Sequence, residues 1–142
     1  MNFFLLIFFL FSSLLFSQEH FILEKEETGE STLFIFQSDI ASLNDDDELG
    51  IFDANGIVDS DGNFGELLVG TGIWSGNQLE IVAIMGVDLS QFGGPILPGA
   101  VSGNSMILKV WKPDMELEYI ENGGVLHYVL RNLAKDKVSQ KI

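Results

Sequence analysis

The sequence predicts an all-β fold, an antiparallel β-sandwich of the jelly-roll or Ig-like kind, preceded by an N-terminal signal peptide helix. Short β-branched and aromatic runs recur along the chain, with Gly, Asn and Asp between them. No stretch before Gly124 shows the apolar period of about 3.6 residues that marks an amphipathic helix. Many short strands with regular turn signals are typical of a sandwich or small barrel. We therefore divide the chain into a signal peptide (1–17), a β-sandwich domain (18–125) and a basic C-terminal strand or tail (126–142).

The first segment has the pattern of a secretory signal. From Phe3 to Phe16 the chain carries no charge, and only two serines interrupt the Phe, Leu and Ile residues. A membrane-spanning helix needs about 20 apolar residues, whereas this run is shorter and fits the hydrophobic region of a signal peptide. Cleavage after Ser17 would leave Gln18 at the new N-terminus. We therefore expect a secreted or cell-surface protein; a retained single-pass anchor is the alternative, because no Lys or Arg precedes the apolar run.

The charge balance restricts the partners. The chain has 21 acidic and 7 basic residues, a formal net charge of −14, and none of these charges lies in the predicted signal peptide. Nucleic-acid phosphates are bound by clustered Lys and Arg, so we expect no nucleic-acid partner, and membrane contact only through an uncleaved signal segment. With no cysteine, the chain has no disulfide, no thiolate chemistry and no cysteine-anchored lipid.

Eight runs are predicted strands. The run Leu79–Met85 is apolar on both faces, as a central strand would be, and the residues Trp74–Gln78 predict a hairpin connection. The glycine- and proline-bearing segment Val87–Ser105 is too long for a hairpin loop and is expected to be a functional loop or a cap over a sheet end. The predicted strands are Phe21–Glu26, Ser31–Gln37, Glu48–Asp53, Glu66–Trp74, Gln78–Gly86, Met106–Lys112, Glu116–Ile120 and Leu126–Leu130.

The C-terminal segment differs in charge from the rest of the chain. Four of the seven basic residues lie among the last twelve: Arg131, Lys135, Lys137 and Lys141. The sequence leaves open whether this segment is a last strand that frays or a short terminal helix.

One acidic stretch predicts a metal site. The segment Asp39–Glu66 contains nine acids and no base. Oxygen-bearing side chains alternate within its glycine-bearing loops, and calcium takes about 6–8 such oxygens. The spacing does not fit an EF-hand, because Phe64 and Gly70 stand where that loop needs Gly and Glu. The predicted calcium ligands of this non-helical loop are Asp53, Asn55, Asp59, Asp61, Asn63 and Glu66. The alternative is a set of ordinary turns, in which Asp, Asn and Gly are favoured for backbone reasons.

The remaining candidates are two tryptophans and two histidines. Trp74 and Trp111 are predicted ligand-binding residues that would stack on a sugar, with core burial as the alternative. His20 lies beside the cleavage point, where we expect it to be mobile, and the apolar context of His127 indicates a structural role. The acidic run Asp45–Glu48 is interpreted as a solvated loop. We predict no catalytic residues.

Three motifs carry a resemblance. The segment Asp47–Asp53 (DELGIFD) is followed by Val69–Gly76 (VGTGIWSG) and then by Leu108–Trp111 (LKVW), which follows Gly103. This succession resembles a β-sandwich accessory module that recurs in large secreted and surface proteins of gliding and marine bacteria, many of them cargo of the type IX secretion system. The resemblance covers about residues 31–119 and implies a non-catalytic module.

The chain departs from that family at three points. Two further acids precede Asp47 where the family has Gly. The usual cysteine before the second motif is absent, and the loop Asn55–Leu68 stands in its place. No C-terminal sorting domain follows the motifs, so we do not expect type IX export of this chain unless the sequence is a fragment of a larger surface protein.

We therefore expect a secreted, non-catalytic, calcium-stabilised module for binding or adhesion at the cell surface, with carbohydrate or another surface protein as its ligand. Two other functions are compatible with the sequence. One is a small secreted polysaccharide-acting hydrolase that uses Asp and Glu. The other is a structural subunit that packs through its sheet edges into an extracellular assembly.

Overall fold

The computed structural model describes residues 19–24, 26–121, 127–132 and 137–141, the last two ranges by their backbone alone. The predicted signal peptide (1–17) lies outside the described residues. Within them the prediction of an all-β fold is confirmed, with one short 3₁₀ helix at Ser90–Phe92. The strands are β1 (Ser31–Phe36), β2 (Glu48–Ile57), β3 (Phe64–Ile73), β4 (Leu79–Ile84), β5 (Val87–Asp88), β6 (Ile96–Leu97), β7 (Met106–Lys112), β8 (Leu117–Ile120), β9 (His127–Asn132) and β10 (Lys137–Lys141).

The strands form two four-stranded antiparallel sheets and a small ribbon. Sheet A has the order β10-β9-β1-β4, and sheet B has the order β3-β2-β7-β8. The ribbon pairs β5 with β6. The C-terminal segment, for which a strand and a helix were both open, forms β9 and β10 at one end of sheet A. No helix in the described ranges is long and apolar enough to cross a membrane.

Both sheets contribute to one hydrophobic core. In β1 the buried side chains alternate with half-buried ones, so that every second residue faces the core. The central strands of sheet B supply fully buried residues such as Leu49 and Val110, and β4 supplies Ile81. The core cluster comprises Phe34, Phe36, Ile40, Leu43, Leu49, Ile51, Leu67, Val69, Trp74, Ile81, Ala83, Ala100 and Val110. Burial of this apolar surface is the main stabilising contribution, at about 25 cal/mol for each Å².

The predicted hairpin at Trp74–Gln78 is wrong. β3 belongs to sheet B and β4 to sheet A, so the five-residue segment carries the chain from one sheet to the other. Gly76 has the positive φ (75°) expected of a turn, but a turn signature does not specify which sheet each strand joins. β3 pairs with β2, and β4 pairs with β1, so β3 and β4 do not pair with each other.

Two glycines allow β3 and β4 to approach closely. A Cβ atom added at Gly70 would lie 2.9 Å from Cγ2 of Ile81 and 3.0 Å from the carbonyl oxygen of Val82. A Cβ atom at Gly72 would lie 2.9 Å from Cγ1 of Ile81. These separations are shorter than normal van der Waals contacts. Side chains at Gly70 and Gly72 would therefore push β3 away from β4.

The predicted strand at residues 21–26 is also wrong. The described residues of this segment adopt no regular structure. Instead of pairing in a sheet, the backbone N–H groups of His20 and Phe21 donate to the side-chain carboxylate of Glu48. His20 and Phe21 therefore contact the face of sheet B rather than one of its edges.

The long segment Val87–Ser105 covers one end of β2. Ile57 and Gly99 exchange two backbone hydrogen bonds, of 2.9 and 3.0 Å. Ala100 is fully buried and belongs to the core. This packing favours the interpretation of the segment as a cap over a sheet end.

Candidate functional site

The candidate site lies on the face of sheet B opposite the core. Because successive side chains of a strand point to opposite faces, the burial of Val110 places Trp111 on the outer face of β7. The strand register sets Glu48 and Glu118 on either side of Trp111. We call this face the Trp111 surface and define it by Glu48, Phe52, Lys109, Trp111 and Glu118.

His20 covers the indole ring of Trp111. The two rings are stacked, with centroids 4.0 Å apart and planes inclined by only 5°. The Nε2 atom of His20 lies 2.7 Å from Oε2 of Glu118, within hydrogen-bonding distance. In the structure the His20 ring therefore has partners on two sides, contacts that its position beside the predicted cleavage point did not indicate.

The backbone on either side of the His20 ring is held by Glu48. Its Oε2 atom accepts hydrogen bonds from the N–H of His20 at 2.6 Å and from the N–H of Phe21 at 3.2 Å. Glu48 is itself buried, with 7% of its surface exposed. A buried carboxylate requires donors, and the N-terminal segment supplies two of them.

Phe21 fits into a slot opened by a glycine. A Cβ atom at Gly50 would lie 3.0 Å from the ring of Phe21 and 2.9 Å from the ring of Phe52. The two phenyl rings meet edge to face, with centroids 5.8 Å apart. Phe21 is consequently buried to 6% exposure, and it anchors the N-terminal segment on the sheet.

Lys109 supplies the positive charge on the Trp111 surface. Its Nζ atom lies 4.2 Å from the centre of the Phe52 ring, a cation–π contact. The same atom is 2.6 Å from Oε1 of Glu66. One of the six predicted calcium ligands is therefore paired with a lysine.

The two predicted ligand-binding tryptophans lie in different environments. Trp74 has 2% of its surface exposed and belongs to the core cluster. This burial matches the alternative interpretation of that residue. Trp111 is half-buried, and what covers its indole face is the His20 ring. Of the two, only Trp111 lies on an outer sheet face.

Asp53, the first predicted calcium ligand, is fully buried and hydrogen-bonded to protein groups. Its Oδ1 atom accepts from the N–H of Asn55 and from Nδ2 of Asn104, both at 2.8 Å. Its Oδ2 atom accepts from the N–H of Val101 at 2.7 Å. The Asn104 amide also donates to the carbonyl oxygen of Asn55 at 2.8 Å. Asp53 thus holds the segment Val87–Ser105 against β2.

Asp59 closes the turn between β2 and β3. Its Oδ1 atom accepts from the N–H groups of Asp61 and Asn63, at 3.0 and 3.1 Å, and its Oδ2 atom accepts from Nδ2 of Asn63 at 2.8 Å. These hydrogen bonds, that of the Asn63 side chain above all, lower the pKa of Asp59. Such a turn is what the alternative to a calcium loop predicts.

The six predicted calcium ligands therefore fall into three sets with separate partners: one around Asp53, one around Asp59, and Glu66 with Lys109. Within the described part of the chain, no three or more acidic or histidine side chains are grouped so that they could hold a metal ion. Calcium binding at this loop stays a prediction of the sequence.

Sequence reasoning missed a buried ion pair. The run Asp45–Glu48 was expected to be solvated, yet Asp47 has 1% of its surface exposed. Its Oδ2 atom is 2.6 Å from Nζ of Lys112 and accepts a 2.8 Å hydrogen bond from the N–H of Asn44. A signal was present: Lys112 lies two residues beyond Val110 in β7, on the core side, where a lysine needs an acidic partner.

Comparisons with protein-family models, with curated proteins and with solved structures found no match to this chain. The three motifs of the sequence resemblance fall on β2, β3 and β7, which are neighbours in sheet B. The family membership that they suggest stays a prediction.

Proposed function

We propose that this protein is a secreted, non-catalytic module that binds an extracellular ligand through the Trp111 surface, and that the ligand is a carbohydrate. The observation that carries this proposal is the position of His20. A polar ring lies flat on the indole of Trp111, and its Nε2 atom meets the carboxylate of Glu118. A sugar ring on tryptophan would use the same two contacts, an apolar face on the indole and a polar group on a neighbouring side chain.

The charges of the surface indicate which carbohydrates fit. The exposed carboxylate of this surface, Glu118, can only accept hydrogen bonds when it is ionised, so the ligand must supply donors, as sugar hydroxyl groups do. The formal net charge of −14 would repel an anionic polysaccharide. The one lysine of the surface, Lys109, is already paired with Glu66. Neutral polysaccharides are therefore the ligand class that we propose.

The hydrogen bonds of the acidic residues favour binding over hydrolysis. Glycoside hydrolysis needs two carboxyl groups about 5–10 Å apart that are available to the substrate. Asp47 is paired with Lys112, and Asp53 accepts three hydrogen bonds from the protein. Glu48 accepts two backbone hydrogen bonds. Because these carboxylates are already paired or hydrogen-bonded within the protein, they are not available to a substrate, which supports a structural role for them.

Substitution of Trp111 tests the binding proposal. We expect Trp111→Ala to weaken the binding of a neutral polysaccharide about tenfold, because the stacking contact is lost, and Trp111→Phe to retain part of the affinity. Affinity gel electrophoresis against laminarin, hydroxyethyl cellulose, mannan and xylan measures this. The control is Phe92→Ala, which removes an aromatic ring that is 87% exposed in the 3₁₀ helix. Full binding by Trp111→Ala, or no binding of any of the four polysaccharides by the wild type, would refute the proposal.

The calcium prediction has a separate test. If the loop around Asp59 binds Ca²⁺, the melting temperature should fall by several degrees in EDTA. It should return with Ca²⁺ but not with Mg²⁺, because the smaller ion demands a stricter octahedral geometry. Differential scanning fluorimetry of the wild type and of Asp61→Ala measures this. A melting temperature that does not respond to EDTA would remove calcium from the description of this protein.

A further inference from the structure

We infer that residues 19–21 form a built-in cap on the Trp111 surface, and that the ligand must displace the His20 ring in order to bind. This inference rests on the proposed function, since it concerns the regulation of the same site. The His20 ring is stacked on one face of the Trp111 indole, on the outer side of sheet B. A ligand that uses this face and His20 therefore exclude one another.

The cap has a fixed part and a part that can move. Phe21 is buried in the slot above Gly50, and Glu48 holds the backbone on both sides of the His20 ring. The His20 side chain itself is 32% exposed. A side-chain rotation about the Cα–Cβ bond can therefore take the ring off the indole while the anchor stays in place.

The contacts of the ring are all ones that a sugar could replace. His20 touches Trp111 by stacking and the Phe21 ring by an edge contact with centroids 4.8 Å apart. Its polar contact is with Glu118, whose side chain is 39% exposed and accessible from solvent. A sugar that stacks on the indole and donates a hydroxyl to Glu118 would leave no group unpaired at the site, because the freed His20 nitrogens would return to water.

The cap lowers the apparent affinity without contributing to recognition. Only molecules with the ring displaced can bind, so the measured affinity is the intrinsic affinity reduced by the uncapped fraction. Removal of the ring should restore the intrinsic value. A stacking contact and one exposed hydrogen bond are weak interactions, so we expect an increase of about three- to tenfold.

Tryptophan fluorescence reports directly on the cap. The chain has two tryptophans, and Trp74 is 2% exposed, so acrylamide quenching reports mainly on Trp111. We expect stronger quenching in His20→Ala than in the wild type. We expect little change in His20→Phe, which keeps a ring on the indole. Unchanged quenching in a folded His20→Ala protein would overturn the cap.

Binding then tests the competition. The probes are laminarin and hydroxyethyl cellulose, and the variants are His20→Ala, Trp111→Ala and the double substitution. The inference expects tighter binding by His20→Ala and loss of that gain in the double variant. If the wild type binds through Trp111 but His20→Ala binds no more tightly, the inference fails and the proposed function stands. If no variant binds either polysaccharide, the proposed function fails and the inference falls with it.

Discussion

Replacing Asp53 with alanine is expected to lower the free energy of unfolding by about 3–5 kcal/mol. The fully buried carboxylate accepts hydrogen bonds from Asn55, Val101 and Asn104. Without the carboxylate, these donors lose their acceptor, and the segment Val87–Ser105 loses its side-chain hydrogen bonds to β2. An unpaired buried polar group costs about 1–3 kcal/mol. Urea denaturation of the purified domain measures the change.

Two further variants make this expectation specific. Asp53→Asn keeps the size of the side chain but turns an NH₂ group toward a donor, so we expect it also to be destabilising. Asp61→Ala removes an exposed acid from the neighbouring turn and is expected to change the stability by less than about 0.5 kcal/mol. If Asp53→Ala and Asp61→Ala lower the free energy of unfolding equally, the buried carboxylate does not hold the segment Val87–Ser105 against β2.

The second large effect is expected at the buried pair of Asp47 and Lys112. The substitution Asp47→Ala should cost about 3–5 kcal/mol, because it leaves the Lys112 ammonium group without its partner in a low-dielectric environment. Lys112 then retains a 3.2 Å hydrogen bond to the carbonyl oxygen of Ser42 and a 6.0 Å contact with the centre of the Tyr119 ring, neither of which supplies a full negative charge. Replacing both members with apolar residues, Asp47→Leu with Lys112→Met, should cost less than the sum of the single substitutions. Additive effects in this double-mutant cycle would mean that the two groups are not coupled.

Tyr119 adds a dependence on pH to the same region. Burial raises the pKa of Tyr119 to about 12, and the negative charges of Glu121 and Asp47 add to the shift. The unfolded chain releases this proton near pH 10, while the folded protein still holds it. The contribution of this group to stability is therefore present below pH 10 and is lost as the pH rises from about 10 to about 12.

The sequence was sufficient for the fold class because that information is local. Alternation in β1 places its side chains correctly on two faces. The prediction that Leu79–Met85 forms a central strand is wrong, because β4 lies at the edge of sheet A and Val82 on its outer face is 49% exposed. The pairing of strands is not local. The turn at Gly76 has the backbone conformation that was expected, yet the strands on its two sides join different sheets, because each finds its partner far away in the sequence.

The candidate site was harder to predict from the sequence, because its contacts also join residues that are far apart in the chain. Asp53 resembles a loop ligand in sequence, and its role as a buried acceptor becomes visible only from Val101 and Asn104, which lie 48 and 51 residues away. His20 adjoins a predicted cleavage point, and nothing in its neighbours indicates the slot that Gly50 opens for Phe21. Trp111 could be singled out from the sequence together with Trp74, but the ring that covers Trp111 could not.

The order of strands in sheet A has a consequence for folding kinetics. β1 lies between β4 and β9, and Phe36 is paired with Tyr128 near the other end of the chain. Sheet B contains a β2–β3 hairpin whose strands are close in sequence. Long-range pairing slows folding because a large loop must close before any contact is gained. We therefore expect the hairpin to form early, and the pairing of β1 with β9 to form only after synthesis has passed residue 132.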